Sequence, residues 1–223
     1  MTHPAAPGAT TRVGTSQAGM PCVARSADGD DVVLLDESGN PIGAADRRTI
    51  HTDQTPLHLA FSTYLFDADD RLLLTQRAHD KVTWPSVWTN SCCGHPRPGE
   101  DPTAAASRRI HEELGLDIEA SQLRCVAPDF RYRAVDAQGV VENEMCPVYV
   151  AEVDSAAHDP RRADPEEIAD CRWVPWRDVI DRAANDPASL SPWAVLQIPL
   201  VAAARPPRSV VEGGGDSGPE GSA

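Results

Sequence analysis

Two thiols stand beside an imidazole in the stretch T-N-S-C-C-G-H-P, residues 89–96. Adjacent cysteines rarely form a disulfide with each other, and their spacing is not that of a C-x-x-C metal site. A cysteine that faces a pocket can exchange protons, whereas a buried free cysteine is ordinary core packing. Taken alone, this stretch favours core packing, so its interpretation depends on the residues around it.

The segment that follows places carboxylates where a helix does not favour them. Residues 101–114 have a helical pattern that begins at the N-cap Asp101. Its last turn holds Glu112 and Glu113, each preceded four residues earlier by an arginine, which is the weaker order for such pairs. The helix dipole also disfavours anions at that end. Together with Glu100, these residues are therefore candidate ligands for a divalent cation as well as members of a solvated ion-pair face.

A second group of carboxylates lies in V-V-E-N-E-M-C-P-V, residues 140–148. Glu142 and Glu144 are two residues apart on a predicted strand over 140–153, so both point to one face, which continues with apolar residues. Two anions on a buried face are very costly unless a cation neutralises them. Three histidines supply further candidate ligands: His51, His58 and His95. The other histidines are interpreted as core or surface residues: His3, His79, His111 and His158.

The composition limits the possible partners. The chain has 223 residues, of which 41% are hydrophobic, and a formal net charge of −14 with a pI near 4.8. This charge would repel nucleic acid and anionic lipid, so neither is expected as a partner. A small anionic substrate remains compatible if metal ions or a local group of cations reverse the field in the site.

The six cysteines show no disulfide framework, and no stretch has the pattern of a signal peptide or a membrane span. We therefore expect a reduced, cytoplasmic protein, and a monomer. Residues 1–28 and 205–223 are rich in small and polar side chains and are predicted to be disordered. Residues 29–204 are predicted to form one domain.

The candidate residues must be positioned by a mixture of strands and helices. The predicted strands lie at 32–36, 41–43, 57–66, 71–77, 140–153 and 171–174. The predicted helices lie at 101–114, 177–184 and 192–200. Strands mixed with a few helices in this order are typical of an α+β fold or a mixed-sheet sandwich.

From Gly94 onward, the spacing of fixed residues resembles the Nudix box, G-x5-E-x7-R-E-U-x-E-E-x-G-U, where U is aliphatic. Every fixed position but one agrees over the 23 positions that end at Leu116. The resemblance implies an α/β/α sandwich with a mixed sheet, whose loop–helix–loop holds divalent metal near a diphosphate. The exception is Arg109, where Nudix hydrolases carry glutamate, and its presence argues against phosphoanhydride hydrolysis.

Further motifs resemble one Nudix branch, the type I isopentenyl-diphosphate isomerases. They are a cysteine before G-H-P, W-P-x-V-W-T-N, D-F-R-Y-R, E-N-E and S-P-W, within a resemblance that runs from about residue 31 to about residue 201. In that family, isopentenyl diphosphate becomes dimethylallyl diphosphate when a proton is added at one carbon and removed from another on the opposite face. The resemblance implies the same reaction here, as a step in isoprenoid precursor biosynthesis.

The implied reaction needs a dry cleft. Protonation of an unactivated alkene gives a tertiary carbocation that water would capture, so an acid and a base must flank an aromatic-lined site. The resemblance implies that Cys93 and Glu144 are these groups, that Tyr132 bonds to Glu144, and that Trp193 stabilises the cation. Core packing explains Trp193 equally well. Since successive residues point in opposite directions, only one thiol can face the cleft; the motif selects Cys93 and assigns Cys92 to the core.

The resemblance also implies two metal sites and a cationic subsite. The first ion, Mg²⁺, Mn²⁺ or Zn²⁺, would be bound by His51, His58, His95, Glu142 and Glu144. The second, a Mg²⁺ that bridges to the diphosphate, would be bound by Glu113 and the carbonyl oxygen of Cys93. The diphosphate would contact Arg47, Arg77 and Lys81, of which Lys81 is the only lysine in the chain.

Two other functions are compatible with parts of this pattern. A Nudix diphosphate hydrolase would share the fold, the metal and the anion, but it would use a metal-activated water and would not need Cys93. A non-catalytic Nudix-like binding module would be expected to have lost the cysteine or carboxylates. Cys93, Glu113, Glu142 and Glu144 are all present, which argues against such a module.

Overall fold

The computed structural model describes residues 30–206; His3 and the predicted tails, apart from Arg205 and Pro206, lie outside this range. The strands are β1 (Asp31–Leu35), β2 (Pro41–Asp46), β3 (His58–Leu59), β4 (Phe61–Phe66), β5 (Arg71–Arg77), β6 (Trp88–Thr89), β7 (Cys92–Gly94), β8 (Arg124–Ala127), β9 (Arg131–Val135), β10 (Val141–Met145), β11 (Val148–Glu152) and β12 (Ile168–Pro175). The helices are α1 (Pro102–Leu114), α2 (Trp176–Asn185) and α3 (Pro192–Ala204).

The strands form two mixed sheets. One sheet has the order β2-β1-β3-β10-β9, and the other has the order β12-β5-β4-β11-β8, with β6 beside β5 and β7 beside β4. Pairing is parallel between β3 and β10 and between β4 and β11. Mixed sheets combined with three helices in the described range confirm the expected α+β fold.

The second sheet is covered on both faces, and the alternation along β4 shows how. Phe61 and Leu65 point to the core that α1 covers, whereas Tyr64 and Phe66 point to the core beneath α2 and α3. Every residue of β4 is buried, as expected for a central strand between two layers. The layers therefore follow the order helix, sheet, helices that the resemblance to the Nudix box implied.

Local signals determine where α1 begins and ends. The side chain of Asp101 accepts hydrogen bonds from the backbone N–H groups of Thr103 and Ala104, and Pro102 occupies the first turn. Such a cap stabilises a helix by about 1 kcal/mol. At the other end Gly115 has a φ of 64°, which favours glycine, and its N–H bonds to the carbonyl of His111. The helix predicted over 101–114 is confirmed.

The single strands predicted over residues 57–66 and 140–153 are both wrong, because two strands occupy each range and lie in different sheets: β3 and β4 in the first range, and β10 and β11 in the second. β10 pairs with β3 and β9, whereas β11 pairs with β4 and β8. Pro147 separates them, and it has no N–H to continue a ladder. Glu142 and Glu144 therefore do not share one continuous face with Val148 and Val150.

The helices after β12 are longer than predicted, and residues 92–94 form a strand rather than a turn. α2 and α3 extend beyond the predicted 177–184 and 192–200, and α3 contains Pro199. β7 runs antiparallel to β4, with Cys93 opposite Ser62.

None of the described helices has the length and apolar character needed to cross a bilayer.

Candidate active site

A cavity of about 470 Å³ lies where α1, β7 and β10 meet the loop between β5 and β6. This volume is within the range typical of small-molecule sites. The predicted residues that line it are Arg47, His51, Arg77, Lys81, Cys93, His95, Glu113, Tyr132, Glu142, Glu144 and Trp193. His58 is fully buried, and its Nε2 contacts Nε2 of His95, which lines the cavity.

Gly94 allows α1, the helix of the Nudix-like motif, to approach β7 closely. A Cβ atom at this position would lie 2.9 Å from Cζ of Phe61 and 3.1 Å from Cγ of Arg109. A larger side chain would therefore push α1 away from the sheet. The glycine that opens the box thus has a steric role, and it brings Arg109 and Glu113 to the cavity.

Three imidazoles and a carboxylate converge on one side of the cavity. The candidate ligand atoms of His51, His58, His95 and Glu144 all lie within 4.8 Å of one another. Nε2 of His58 is 3.2 Å from Nε2 of His95, and these nitrogens are 3.5 Å and 3.1 Å from Oε1 of Glu144. Nδ1 of His58 is 3.0 Å from the carbonyl oxygen of Pro56. This contact orients the His58 ring so that Nε2 points into the group.

Two buried atoms without a hydrogen bond, on His51 and on the neighbouring Glu142, indicate that this part of the cavity fits a cation. Nε2 of His51 and Oε2 of Glu142 are 3.0 Å apart, yet neither makes a hydrogen bond. Across the described residues, only one other buried side-chain nitrogen or oxygen lacks a partner, and it belongs to Asp136. An orphaned buried polar atom is costly, and a shared cation satisfies both atoms at once. The donor set of imidazole nitrogens and carboxylate oxygens suits a divalent metal ion.

Glu144 is held on its other side by Tyr132. The two residues face each other across the antiparallel β9–β10 pair, and the phenol donates to Oε2 of Glu144 at 2.8 Å. Burial raises the pKa of Glu144, but hydrogen bonds from His58 and His95 outweigh burial and hold it well below 4.5. Burial, aided by the charge of Glu144, raises the pKa of Tyr132 well above 10. The carboxylate is therefore ionised, and the phenol keeps its proton.

The two thiols on β7 point in opposite directions. Cys92 is buried in the core beneath α1, whereas Cys93 lines the cavity. Sγ of Cys93 donates to Oδ1 of Asn90 at 3.2 Å and lies 3.5 Å from Oγ of Ser62. Burial raises the pKa of the Cys93 thiol to about 11. At neutral pH the thiol thus holds a proton.

Asn90 is a buried residue that the sequence did not identify. Its Oδ1 accepts hydrogen bonds from the Cys93 thiol, from the Thr89 hydroxyl at 2.8 Å and from the Trp193 indole at 3.1 Å. An indole N–H can only donate, so the amide oxygen must face it. The amide nitrogen donates to the carbonyls of Thr63 and Cys92. Asn90 thus connects the thiol to the aromatic wall, and the only signal for it was its place in T-N-S-C-C.

Aromatic rings cover the apolar side of the cavity. Trp193 is 3% exposed, and its ring centroid lies 5.5 Å from that of Trp84 and 5.9 Å from that of Tyr132. The Arg77 guanidinium lies 5.5 Å from the Trp193 ring. Trp193 belongs both to the core beneath α3 and to the cavity wall. Its two predicted interpretations, core packing and a position in the cleft, are therefore compatible.

Each cation predicted to contact the diphosphate has a protein partner. Nε of Arg47 is 2.8 Å from a carboxylate oxygen of Asp30. Lys81 forms an ion pair with Glu167, and Arg77 donates to the carbonyl of Thr83. All three cations line the cavity.

Arg109 and Glu167 complete the charged side of the cavity, and neither residue had a predicted role there. Arg109 forms an ion pair with Glu113, and its Nη2 is 3.1 Å from Oε1 of Glu167. Burial raises the pKa of Glu113 despite the guanidinium. Burial also raises the pKa of Glu167, but the hydrogen bond and the charge of Lys81 outweigh the effect of burial, so the pKa of Glu167 is lowered overall. Glu167 thus bridges two cations that an anionic ligand would also meet.

The other two acidic residues of the box lie in ion pairs away from the imidazole group. Glu100 accepts two hydrogen bonds from Arg108, at 2.8 Å and 2.9 Å. Glu112 is exposed and lies 3.1 Å from a nitrogen of Arg108 and 3.1 Å from one of Arg109. Of the box carboxylates considered as metal ligands, only Glu113 lines the cavity.

Comparison with known proteins agrees with this fold. The family model described as NUDIX domain matches residues 56–194. A solved structure from Deinococcus radiodurans superposes with a TM-score of 0.55 at 19% identity, covering 74% of this chain and 96% of its own. A MutT protein from Methanosarcina mazei superposes with a TM-score of 0.53 at 13% identity, covering 67% and 96%. At these identities the likeness concerns the fold alone, and the fold and box together define a Nudix protein.

Relatives of higher identity narrow the class. The isopentenyl-diphosphate Delta-isomerase of Cutibacterium acnes is 52% identical over 170 residues, which are 76% of this chain and 85% of the relative. The enzymes of the same name from Clavibacter michiganensis and Citrobacter koseri are 54% and 49% identical, over 76% of this chain and 84% and 90% of their own lengths. The chain belongs to the isopentenyl-diphosphate Delta-isomerase family, as its motifs indicated.

Proposed function

We propose that this chain interconverts isopentenyl diphosphate and dimethylallyl diphosphate by a metal-dependent transfer of protons. The observation that carries the proposal is that Cys93 and Glu144 line one cavity, beside aromatic rings and an imidazole group that fits a cation. The names of its relatives support the same reaction. A hydrolase has no use for a buried thiol in this position.

Cys93 and Glu144 are the proposed acid/base pair. In the resting site the thiol holds a proton, because burial raises its pKa to about 11, and the carboxylate is ionised, because its pKa lies well below 4.5. These states suit Cys93 as the donor of the proton that is added to the alkene. They suit Glu144 as the acceptor of the proton that is removed, with Tyr132 holding its Oε2 in place.

Trp193 and Tyr132, which line the cavity, are proposed to protect the carbocation. An aromatic face stabilises a desolvated cation by roughly 2 kcal/mol or more. The two rings are tilted against each other, and Trp84 packs edge-to-face on Trp193. Asn90 would fix the wall relative to the thiol, since it accepts hydrogen bonds from both Cys93 and Trp193.

His51, His58, His95, Glu142 and Glu144 would hold the first metal ion. Three nitrogen donors favour Zn²⁺, the two carboxylates also suit Mn²⁺, and Mg²⁺ prefers a shell of oxygen ligands. When bound, the ion would neutralise the two buried carboxylates and fix their orientation. Glu113 and the carbonyl oxygen of Cys93 would hold a second ion, Mg²⁺, next to the diphosphate.

A group of cations supports diphosphate binding in a chain of net charge −14. Those that line the cavity are Arg47, Arg48, Arg77, Lys81, Arg97, Arg108 and Arg109. We propose that the diphosphate contacts Arg47, Arg77 and Lys81, as the family resemblance implies, and that Arg109 adds to the same field. The local charge thereby reverses the repulsion that the whole chain would exert.

A direct assay tests the proposal. Purified protein is incubated with isopentenyl diphosphate and Mg²⁺, and the products are separated. Dimethylallyl diphosphate with its diphosphate intact is the expected product, whereas released phosphate would indicate a hydrolase. Cys93→Ala and Glu144→Gln should each abolish conversion while the protein stays folded. Cys92→Ala is the matched control and should have a mild effect, because its thiol faces the core.

A further inference from the structure

Thr83 links the loop that carries Lys81 to the carboxylate of Glu142. The loop spans residues 78–87, between β5 and β6, and lies along the cavity. Thr83 is 5% exposed, and its Oγ1 lies 2.7 Å from Oε1 of Glu142. No role for this residue followed from the sequence.

The direction of the hydrogen bonds around Thr83 is determined by chemistry. Nη2 of Arg77 donates to Oγ1 of Thr83 at 3.2 Å and to its carbonyl oxygen at 2.9 Å, and Nε donates to the same carbonyl at 3.1 Å. A guanidinium can only donate, and an ionised carboxylate can only accept. The single hydroxyl proton of Thr83 is therefore available only to Glu142.

Because of this hydrogen bond, the two carboxylate oxygens of Glu142 have different surroundings. Oε1 of Glu142 is occupied by the Thr83 hydroxyl, whereas Oε2 makes no hydrogen bond and lies 3.0 Å from Nε2 of His51. We propose that Thr83 is a positioning residue for the imidazole–carboxylate metal site: it holds Glu142 so that Oε2 is the atom presented to the ion. The inference rests on the metal site of the proposed function.

The loop is held firmly enough for such a role. Trp84 and Ser86 have φ angles of 43° and 64°, which are unusual for residues other than glycine and persist only where neighbours enforce them. Besides the bonds of Arg77 to Thr83, Gln76 donates to the carbonyl of Ser86 at 2.8 Å. The backbone beside the Thr83 hydroxyl is thus held by hydrogen bonds that a side-chain change leaves in place, so an isosteric substitution should remove the hydroxyl proton without moving the backbone.

The test is metal affinity, measured on metal-free protein without substrate. Zn²⁺ or Mn²⁺ is titrated into wild-type protein and into the Thr83→Val and Thr83→Ser variants by isothermal calorimetry. Loss of a hydrogen bond that orients a metal ligand typically weakens affinity by about 10- to 100-fold. We expect T83V to raise Kd by this factor and T83S, which keeps the hydroxyl, to stay close to wild type.

Thr75→Val is the matched control. Thr75 is buried and lines the same cavity, but its hydroxyl donates to the backbone carbonyl of Asn90 at 2.8 Å rather than to a candidate ligand. T75V should leave the metal Kd unchanged, so that a general effect of Thr→Val changes is distinguished from a specific one. Thermal melting of the metal-free proteins checks folding, and T83A replaces T83V if the valine variant does not fold.

The outcomes separate this inference from the proposed function. A T83V Kd within twofold of a normal wild-type value would overturn the role of Thr83 alone. A T83S protein as weak as T83V would also overturn it, because the hydroxyl would then not be the cause. If wild-type protein binds neither ion, or binds as well after His51→Ala, the metal site itself is wrong and the inference fails with it.

Discussion

Replacement of Tyr132 by phenylalanine removes one hydroxyl group from Glu144 and little else. The phenol donates to Oε2 at 2.8 Å, while Oε1 faces the imidazoles of His58 and His95. A hydrogen bond to a charged group contributes about 1.5–3 kcal/mol. If the bond supports Glu144 in the transition state, its loss corresponds to a roughly 10- to 150-fold lower kcat, since about 1.4 kcal/mol changes a rate tenfold.

The assay is the conversion of labelled isopentenyl diphosphate over a range of concentrations. The KM of Tyr132→Phe should change little, because the cations proposed to bind the diphosphate are not contacted by this hydroxyl. Phe130 stacks on Tyr132 with ring centroids 5.9 Å apart, so Phe130→Leu is the control for altered packing with the hydroxyl retained. A Tyr132→Phe enzyme with kcat within twofold of wild type would refute this reasoning, as would an equal loss in the Phe130→Leu control.

Three further predictions use other parts of the chain. Because burial raises the pKa of Cys93 to about 11, the rate of its alkylation by iodoacetamide should rise about tenfold per pH unit between about pH 7 and 10. Mass spectrometry measures the alkylation of Cys93 at each pH, and a rate that does not change with pH would contradict the buried thiol. Removal of metal with EDTA should lower the melting temperature in calorimetry, since an ion at about 100 times its Kd adds about 2.7 kcal/mol to the unfolding free energy, and an unchanged melt would argue against a bound ion. Burial raises the pKa of Asp67, but hydrogen bonds from Arg71 hold it below 3.8, so this carboxylate stabilises the fold above about pH 4 and loses its effect as the pH falls through the lowered pKa. Urea titrations should therefore show Asp67→Asn less stable than wild type at pH 7 and closer to it near pH 2, and an equal difference at both pH values would contradict the ionised carboxylate.

Elements with local signals were predictable from the sequence. The N-cap Asp101, the proline after it and the αL glycine at 115 define α1 without any knowledge of the rest of the chain. The hairpins β1–β2 and β4–β5 likewise have polar turns between apolar strands. Pairing between distant strands could not be predicted in this way. The alternation over 140–153 continues across two strands, and only their different partners show that they belong to different sheets.

The residue types gathered at the candidate site were predictable, but the side chains that support them were not. Cys93, Glu144 and the histidines were expected from the family motifs, and the structure brings them together at one cavity. Asn90 and Thr83 act through hydrogen bonds to residues that are distant in sequence, such as Asn90 to Trp193 and Thr83 to Glu142. No periodicity reports such contacts. The ion pair between Lys81 and Glu167 is of the same kind, since it depends on how two loops meet.

The central claim is that Cys93 and Glu144 exchange protons with an alkene while the diphosphate stays attached. The most direct measurement is NMR of the product formed from isopentenyl diphosphate and Mg²⁺ in deuterated water. Wild-type protein should give dimethylallyl diphosphate with deuterium in its newly formed methyl group, and Cys93→Ala and Glu144→Gln should give none. Product without deuterium, free phosphate in place of a prenyl diphosphate, or near-normal labelling by the Cys93→Ala protein would contradict it.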